Sequence, residues 1–176
     1  MAYGVTVSHH LDESNFRMSE SVYRMRLSAI QKAAEAAGID AVLITPGPDL
    51  RYLTGYEAVP LERLTCLVLP ATGDPVMVVP NLEVLAATAS PIGTLGLGLH
   101  SWGETDDPVR LVAGLLPSAK TIALDDHMWA EKVLRLRAAM PHAHQVTAGP
   151  VIHPLRMRKD ATEILALRKA GAAIDA

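Results

Sequence analysis

Any chemistry in this chain would have to come from a few short constellations of polar residues. His142 and His144 place two imidazoles on one face of an extended segment, a spacing that can chelate. No carboxylate or thiol lies near enough in sequence to complete a zinc-type set, so the pair is read as a solvated turn after Pro141. His9 and His10 fall in a polar, aperiodic stretch and are weaker still as ligands. Asp106-Asp107 and Asp125-Asp126 resemble the paired carboxylates of acid–base catalysis. Each pair precedes a helical pattern, where the usual task of an aspartate is to accept the free N–H groups of the first turn, and both pairs are expected to be caps. Residues 91–99 (PIGTLGLGL) are glycine-rich but lack both the Gly-x-Gly-x-x-Gly spacing and the lysine of a phosphate loop. They are expected to be a flexible connection. Cys66 sits in an apolar run with no adjacent base to activate it, which makes it a core residue.

Residues 56–63 (YEAVPLER) are the remaining candidate. They join a tight turn ending at Gly55 to an apolar strand, which puts them at the end of a sheet, where α/β sheets bind ligands. Arg63 can clamp a carboxylate through two parallel N–H···O bonds. The competing reading is a solvated pair with Glu62 beside a strand.

The elements that would position these residues can be read from composition and period. The chain has 176 residues, 49% of them hydrophobic and only 4% aromatic, so an aliphatic core of domain size is available. A net charge of −3, with no basic run interleaved with aromatics, argues against nucleic acid as a partner. A single cysteine rules out an internal disulfide and a four-cysteine zinc site. No apolar run reaches 18 residues, and residues 1–18 lack a basic start leading into an apolar core. The expectation is a cytoplasmic protein without a membrane partner.

Tyr23, Leu27, Ile30, Ala34 and Ala37 recur at helical spacing, with Ser19 before them as a cap and Gly38 after them. Residues 39–45 (IDAVLIT) form a strand apolar enough to be buried on both faces. One helical turn over 49–55, strands at 64–69 and 76–79, and a hairpin turn at 70–75 follow. Asn81 is expected to cap a helix over 82–89. A strand is expected at 97–102, then a helix opened by Asp107-Pro108 and running to about 116. The last elements are a strand at 121–124, a helix over 127–140 and an edge strand at 145–147. This alternation predicts a three-layer α/β sandwich, with a mixed, mostly parallel sheet of five or six strands and helices on both faces.

Asp160 and Glu163 form a capping-box pattern. Ile164, Leu167 and Ile174 then share one helix face, with Leu165 beside them, and nothing follows to cover that stripe. The reading divides the chain into an extension over 1–18, a domain over 19–150, and a segment over 151–176. That last segment is expected to be a linker and the truncated first helix of a further domain.

In order and spacing, four segments resemble the amino-terminal domain of the creatinase, prolidase and aminopeptidase P family. They are 38–45 (GIDAVLIT), 51–56 (RYLTGY), the hairpin around 73–75 (GDP) and 155–164 (LRMRKDATEI). The resemblance covers about residues 22–174. It implies that a separate catalytic domain of pita-bread shape follows, carrying two aspartates, a histidine and two glutamates for two divalent metal ions (Mn, Co or Zn). This chain would then hold no catalytic or metal-binding residue. It would be an accessory domain of a dinuclear-metal Xaa-Pro peptidase acting on short proline-containing peptides, shaping the cleft and a homodimer. The resemblance marks Arg63, Glu57, Tyr56 and Trp102 as substrate-contacting residues, with core packing the favoured alternative for Trp102. The alternatives are a free-standing protein-interaction module on the same scaffold, or a small-molecule-binding α/β domain. Dipeptidase, aminopeptidase and amidinohydrolase are not separable at this level.

Overall fold

A computed structural model describes residues 18–175. His9, His10 and nearly all of the expected extension lie outside the described residues.

The helix expected after Ser19 is α1 (Glu20–Ala36), ended by Gly38 in the left-handed conformation. The chain continues through β1 (Ala41–Ile44), α2 (Pro48–Thr54), β2 (Cys66–Pro70) and β3 (Val76–Pro80). After a 3-10 turn at Asn81–Glu83 come α3 (Val84–Ala89), α4 (Ile92–Leu95), β4 (Gly98–Trp102) and α5 (Pro108–Leu115). The last elements are β5 (Thr121–Leu124), α6 (Ala130–Ala139), β6 (His144–Thr147), α7 (Gly149–Met157) and α8 (Ala161–Ile174).

One six-stranded sheet has the order β4-β3-β2-β1-β5-β6. β2 runs antiparallel to both neighbours, and the other pairings are parallel. Side chains alternate between two cores, as the period of a strand requires. Val42, Ile44, Leu67, Leu69, Met77 and Val79 enter the first core, against α1, α2, α3 and α7. Leu43, Cys66, Val68, Val78, Ile122 and Leu124 enter the second, against α5 and α6. The central strands are thus buried on both faces, which accounts for their unbroken aliphatic sequences.

Asp40 ties the start of β1 to the start of its parallel neighbour β5. Its Oδ2 accepts the N–H groups of Lys120 and Thr121 at 2.7 and 2.8 Å, and its own N–H donates to the Thr121 carbonyl. These two backbone donors hold the carboxyl below the ordinary aspartate range. A group lowered in the folded state contributes stability at neutral pH and loses it as pH falls through the lowered value. Asp40→Ala is therefore expected to cost about 1 kcal/mol at pH 7, a low figure because the site is solvent-exposed. Urea titrations should show the gap from the parent chain closing below about pH 4.

Four expectations need correction. Asn81 makes no side-chain cap, and the helix expected from residue 82 is a 3-10 turn followed by the short α3. The glycine-rich stretch contains α4, whose Ile92 and Leu95 are buried, so it is packed structure rather than flexible connection. α6 starts at Ala130, because Asp125 and Asp126 are engaged elsewhere and no side chain caps it. Where a linker is expected from residue 151, the chain forms α7, with Val151 and Ile152 in the first core. Pro150 opens that helix, and Pro154 sits inside it at the position that would have bonded back to residue 150.

α8 has the expected capping box. Asp160 accepts the Glu163 N–H at 2.8 Å, and Glu163 accepts the Asp160 N–H at 2.9 Å. None of its residues is buried, and Ile164, Leu165, Leu167 and Ile174 are 41–85% exposed.

Candidate site at the carboxyl rim of the sheet

The carboxyl ends of the parallel strands gather five connections along one rim. Because β2 is reversed, the loop that enters it at residues 56–65 joins the same rim as the exits of β1, β3, β4, β5 and β6. β1 leads into α2 on one face, and its parallel neighbour β5 leads into α6 on the other. Such a divergence leaves a crevice between two strand ends, the usual ligand position in open α/β sheets.

Gly55 sets the entry to the 56–65 loop. It closes α2 with φ +72°, and a Cβ there would stand 2.6 Å from the Tyr23 ring. Only glycine meets both demands. Tyr56 then turns inward to the first core at 5% exposure, and burial raises its phenol pKa, with the Glu83 charge adding to the effect. Glu57 is exposed and pairs with Arg51 at 2.8 Å. Arg63 is one-third exposed and meets Glu104 at 3.3 Å, not Glu62 as a solvated pair would require. Its Nε is buried and has no hydrogen-bond partner among the described residues. Trp102 packs in the second core and donates its indole N–H to the Leu64 carbonyl at 2.9 Å.

The four candidate residues therefore separate. Tyr56 and Glu57 line a groove of about 1060 Å³ with Arg26, Arg51, Tyr52 and Arg156. Arg63 stands with Glu104 beside the end of β4, and Tyr56 and Trp102 are both largely buried.

The crevice itself holds residues that sequence reasoning did not bring together. Asp125, at the end of β5, accepts the N–H and hydroxyl of Thr45 at 3.1 and 2.8 Å and the His127 N–H at 2.9 Å. Asp49, in the first turn of α2, is paired with Arg156 of α7. Asp49, Asp125 and His127 offer ligand atoms within 4.8 Å of one another. Two metal ions bridged by carboxylates do not fit this trio, because Asp49 is bound by a guanidinium and Asp125 already accepts three donors. Asp126 accepts the Gly149 N–H at the start of α7. Asp107 does cap α5, accepting from Val109 and Arg110. His142 and His144 are exposed, and Cys66 is buried, its thiol pushed up to about 12 by desolvation.

A six-stranded mixed sheet with helices packed on both faces places the chain among the α/β domains. The model of the Creatinase/Prolidase N-terminal domain matches residues 26–158, and the chain belongs to that family. It is 46% identical over 160 residues to a Mycobacterium tuberculosis protein named probable dipeptidase PepE, across 90% of this chain and 42% of that protein. The crystal structure of dipeptidase PepE from Mycobacterium ulcerans superposes with a TM-score of 0.85 at 46% identity, covering 90% of this chain and 43% of that one. A prolidase from Thermococcus sibiricus superposes with a TM-score of 0.78 at 26% identity, covering 90% and 42%. The chain thus spans under half the length of these relatives. Among the described residues, no helix is long and apolar enough to cross a membrane.

Proposed function

We propose that the chain is the amino-terminal accessory domain of a cytoplasmic, dinuclear-metal Xaa-Pro peptidase, and that it shapes the cleft and the homodimer of that enzyme. The observation that carries this reading is the 46% identity to dipeptidases along 90% of the chain. In this reading α8 is the first helix of the catalytic domain, and the metal ligands lie in residues beyond it. The peptide's free terminus needs a charged partner in a mostly closed cleft, and Arg63, one-third exposed at the rim, is the residue assigned to it.

Arg63→Ala in the two-domain enzyme is expected to raise KM for free Xaa-Pro peptides about tenfold with kcat nearly unchanged. That change corresponds to one charge-assisted pair. The effect should vanish for peptides blocked at the contacted terminus, and Arg63→Lys should rescue it only in part. Equal KM values for the parent and the alanine variant on both substrate types would return Arg63 to an ordinary surface pair with Glu104.

A further inference from the structure

Residues 57–63 cross the rim with almost no support of their own. Glu57, Val59, Pro60, Leu61 and Glu62 are exposed, and among the described residues no backbone–backbone hydrogen bond reaches the segment. Side-chain pairs hold its two ends, Glu57 to Arg51 and Arg63 to Glu104. Among the described residues, one hydrogen bond reaches its main chain. The Lys132 ammonium, on α6 of the opposite layer, donates to the Leu61 carbonyl at 3.0 Å.

Lys132 is a costly way to fill its place. The residue is 5% exposed, and among the described residues it has no carboxylate within ion-pair distance. Burial drives its pKa down. Its ammonium lies 4.2 Å from the centre of the Trp129 ring, which offsets part of the lost hydration. A methionine would fill the same volume without the desolvation cost. What it could not supply is a charged donor aimed at a loop carbonyl two residues before Arg63.

We propose that Lys132 is a positioning residue that holds the 57–63 loop against α6 and so places Arg63 at the rim. The second half of this inference rests on the peptidase reading above. It therefore needs one test that is independent of activity and one that is not.

The first test uses this chain and a glutamate-specific protease, whose targets in the loop are Glu57 and Glu62. Lys132→Met is expected to speed cleavage there about tenfold, the factor for losing one charge-assisted bond, while the melting temperature holds or rises. Lys132→Arg, which keeps a donor, should stay within about twofold of the parent. If the methionine variant does not fold, Lys132→Leu, which also lacks a donor, replaces it, with the same acceleration expected. Unchanged cleavage in a folded Met or Leu variant overturns the proposal.

The second test is kinetic, in the two-domain enzyme. Lys132→Met should raise KM for free dipeptides about three- to tenfold with kcat within twofold. Faster cleavage in the chain, with KM unmoved by either Lys132→Met or Arg63→Ala, keeps the tether and removes the substrate role of Arg63. A raised KM for Arg63→Ala with no change for Lys132→Met shows that Arg63 needs no such tether, and overturns the positioning role.

Discussion

Asp125→Ala is expected to destabilise the chain by about 3–5 kcal/mol, lowering its melting temperature by roughly 10 °C. The carboxylate is 5% exposed and stands where β5 leaves the sheet. It is the shared acceptor of the Thr45 N–H, the Thr45 hydroxyl and the His127 N–H, and Thr45 is itself buried. An alanine would strand three donors in a volume too enclosed for water to serve them all, and each buried unsatisfied group costs about 1–3 kcal/mol. Asp125→Asn retains one acceptor oxygen and should lose about half as much. Urea unfolding of the three proteins measures this directly, and a loss under 1 kcal/mol for the alanine variant would show that Thr45 is not held by Asp125.

Arg26→Ala should release α8, at a local cost of about 3 kcal/mol for removing one partner of a buried ion pair. The guanidinium is 3% exposed and lies 3.8 Å from the centre of the Tyr52 ring, donating to the Tyr52 carbonyl at 2.8 Å. From there it reaches Glu163 at 3.2 Å and Asp160 at 3.6 Å, the two residues of the α8 capping box. Since α8 buries none of its residues, this pairing is its main anchor. A helix of 14 residues is marginal in water once cut loose. Amide exchange across residues 161–174 should accelerate toward the rate of an isolated peptide, while β1 and β5 keep their protection. Unchanged exchange in α8 would show that something other than Arg26 secures it.

The strands were legible because their chemistry is local. β1 and β5 are short aliphatic runs that only a strand covered on both faces explains, and the turn at 71–75 announces the β2–β3 hairpin through its Gly and Pro. Elements ruled by distant contacts were not. α7 hides behind two prolines and exists because Val151 and Ile152 find the first core. The start of α6 was misplaced because Asp125 and Asp126 bond across the fold to Thr45 and Gly149 instead of capping it. The site divides the same way. The Arg63 loop follows from a Gly55 turn leading into a strand, but its partner Glu104 is 41 positions away. Asp49 and Arg156 are 107 positions apart, and Lys132 and Leu61 are 71 apart. No spacing rule reaches across such separations, so these pairs become visible only once the strand order is known.

The reversed direction of β2 has a consequence for how this domain can diversify. Its alignment with β3 is set at the far end by the tight hairpin at 71–75, so the strand does not depend on the loop at its entrance for its pairing. Residues can be added to or removed from that entrance without any core side chain changing faces. Lengthening a flexible loop costs little, about 0.6 kcal/mol for each doubling. The rim segment that presents Arg63 is therefore the part of the domain most open to change in length, and the scaffold can acquire a new preference there while its sheet stays the same.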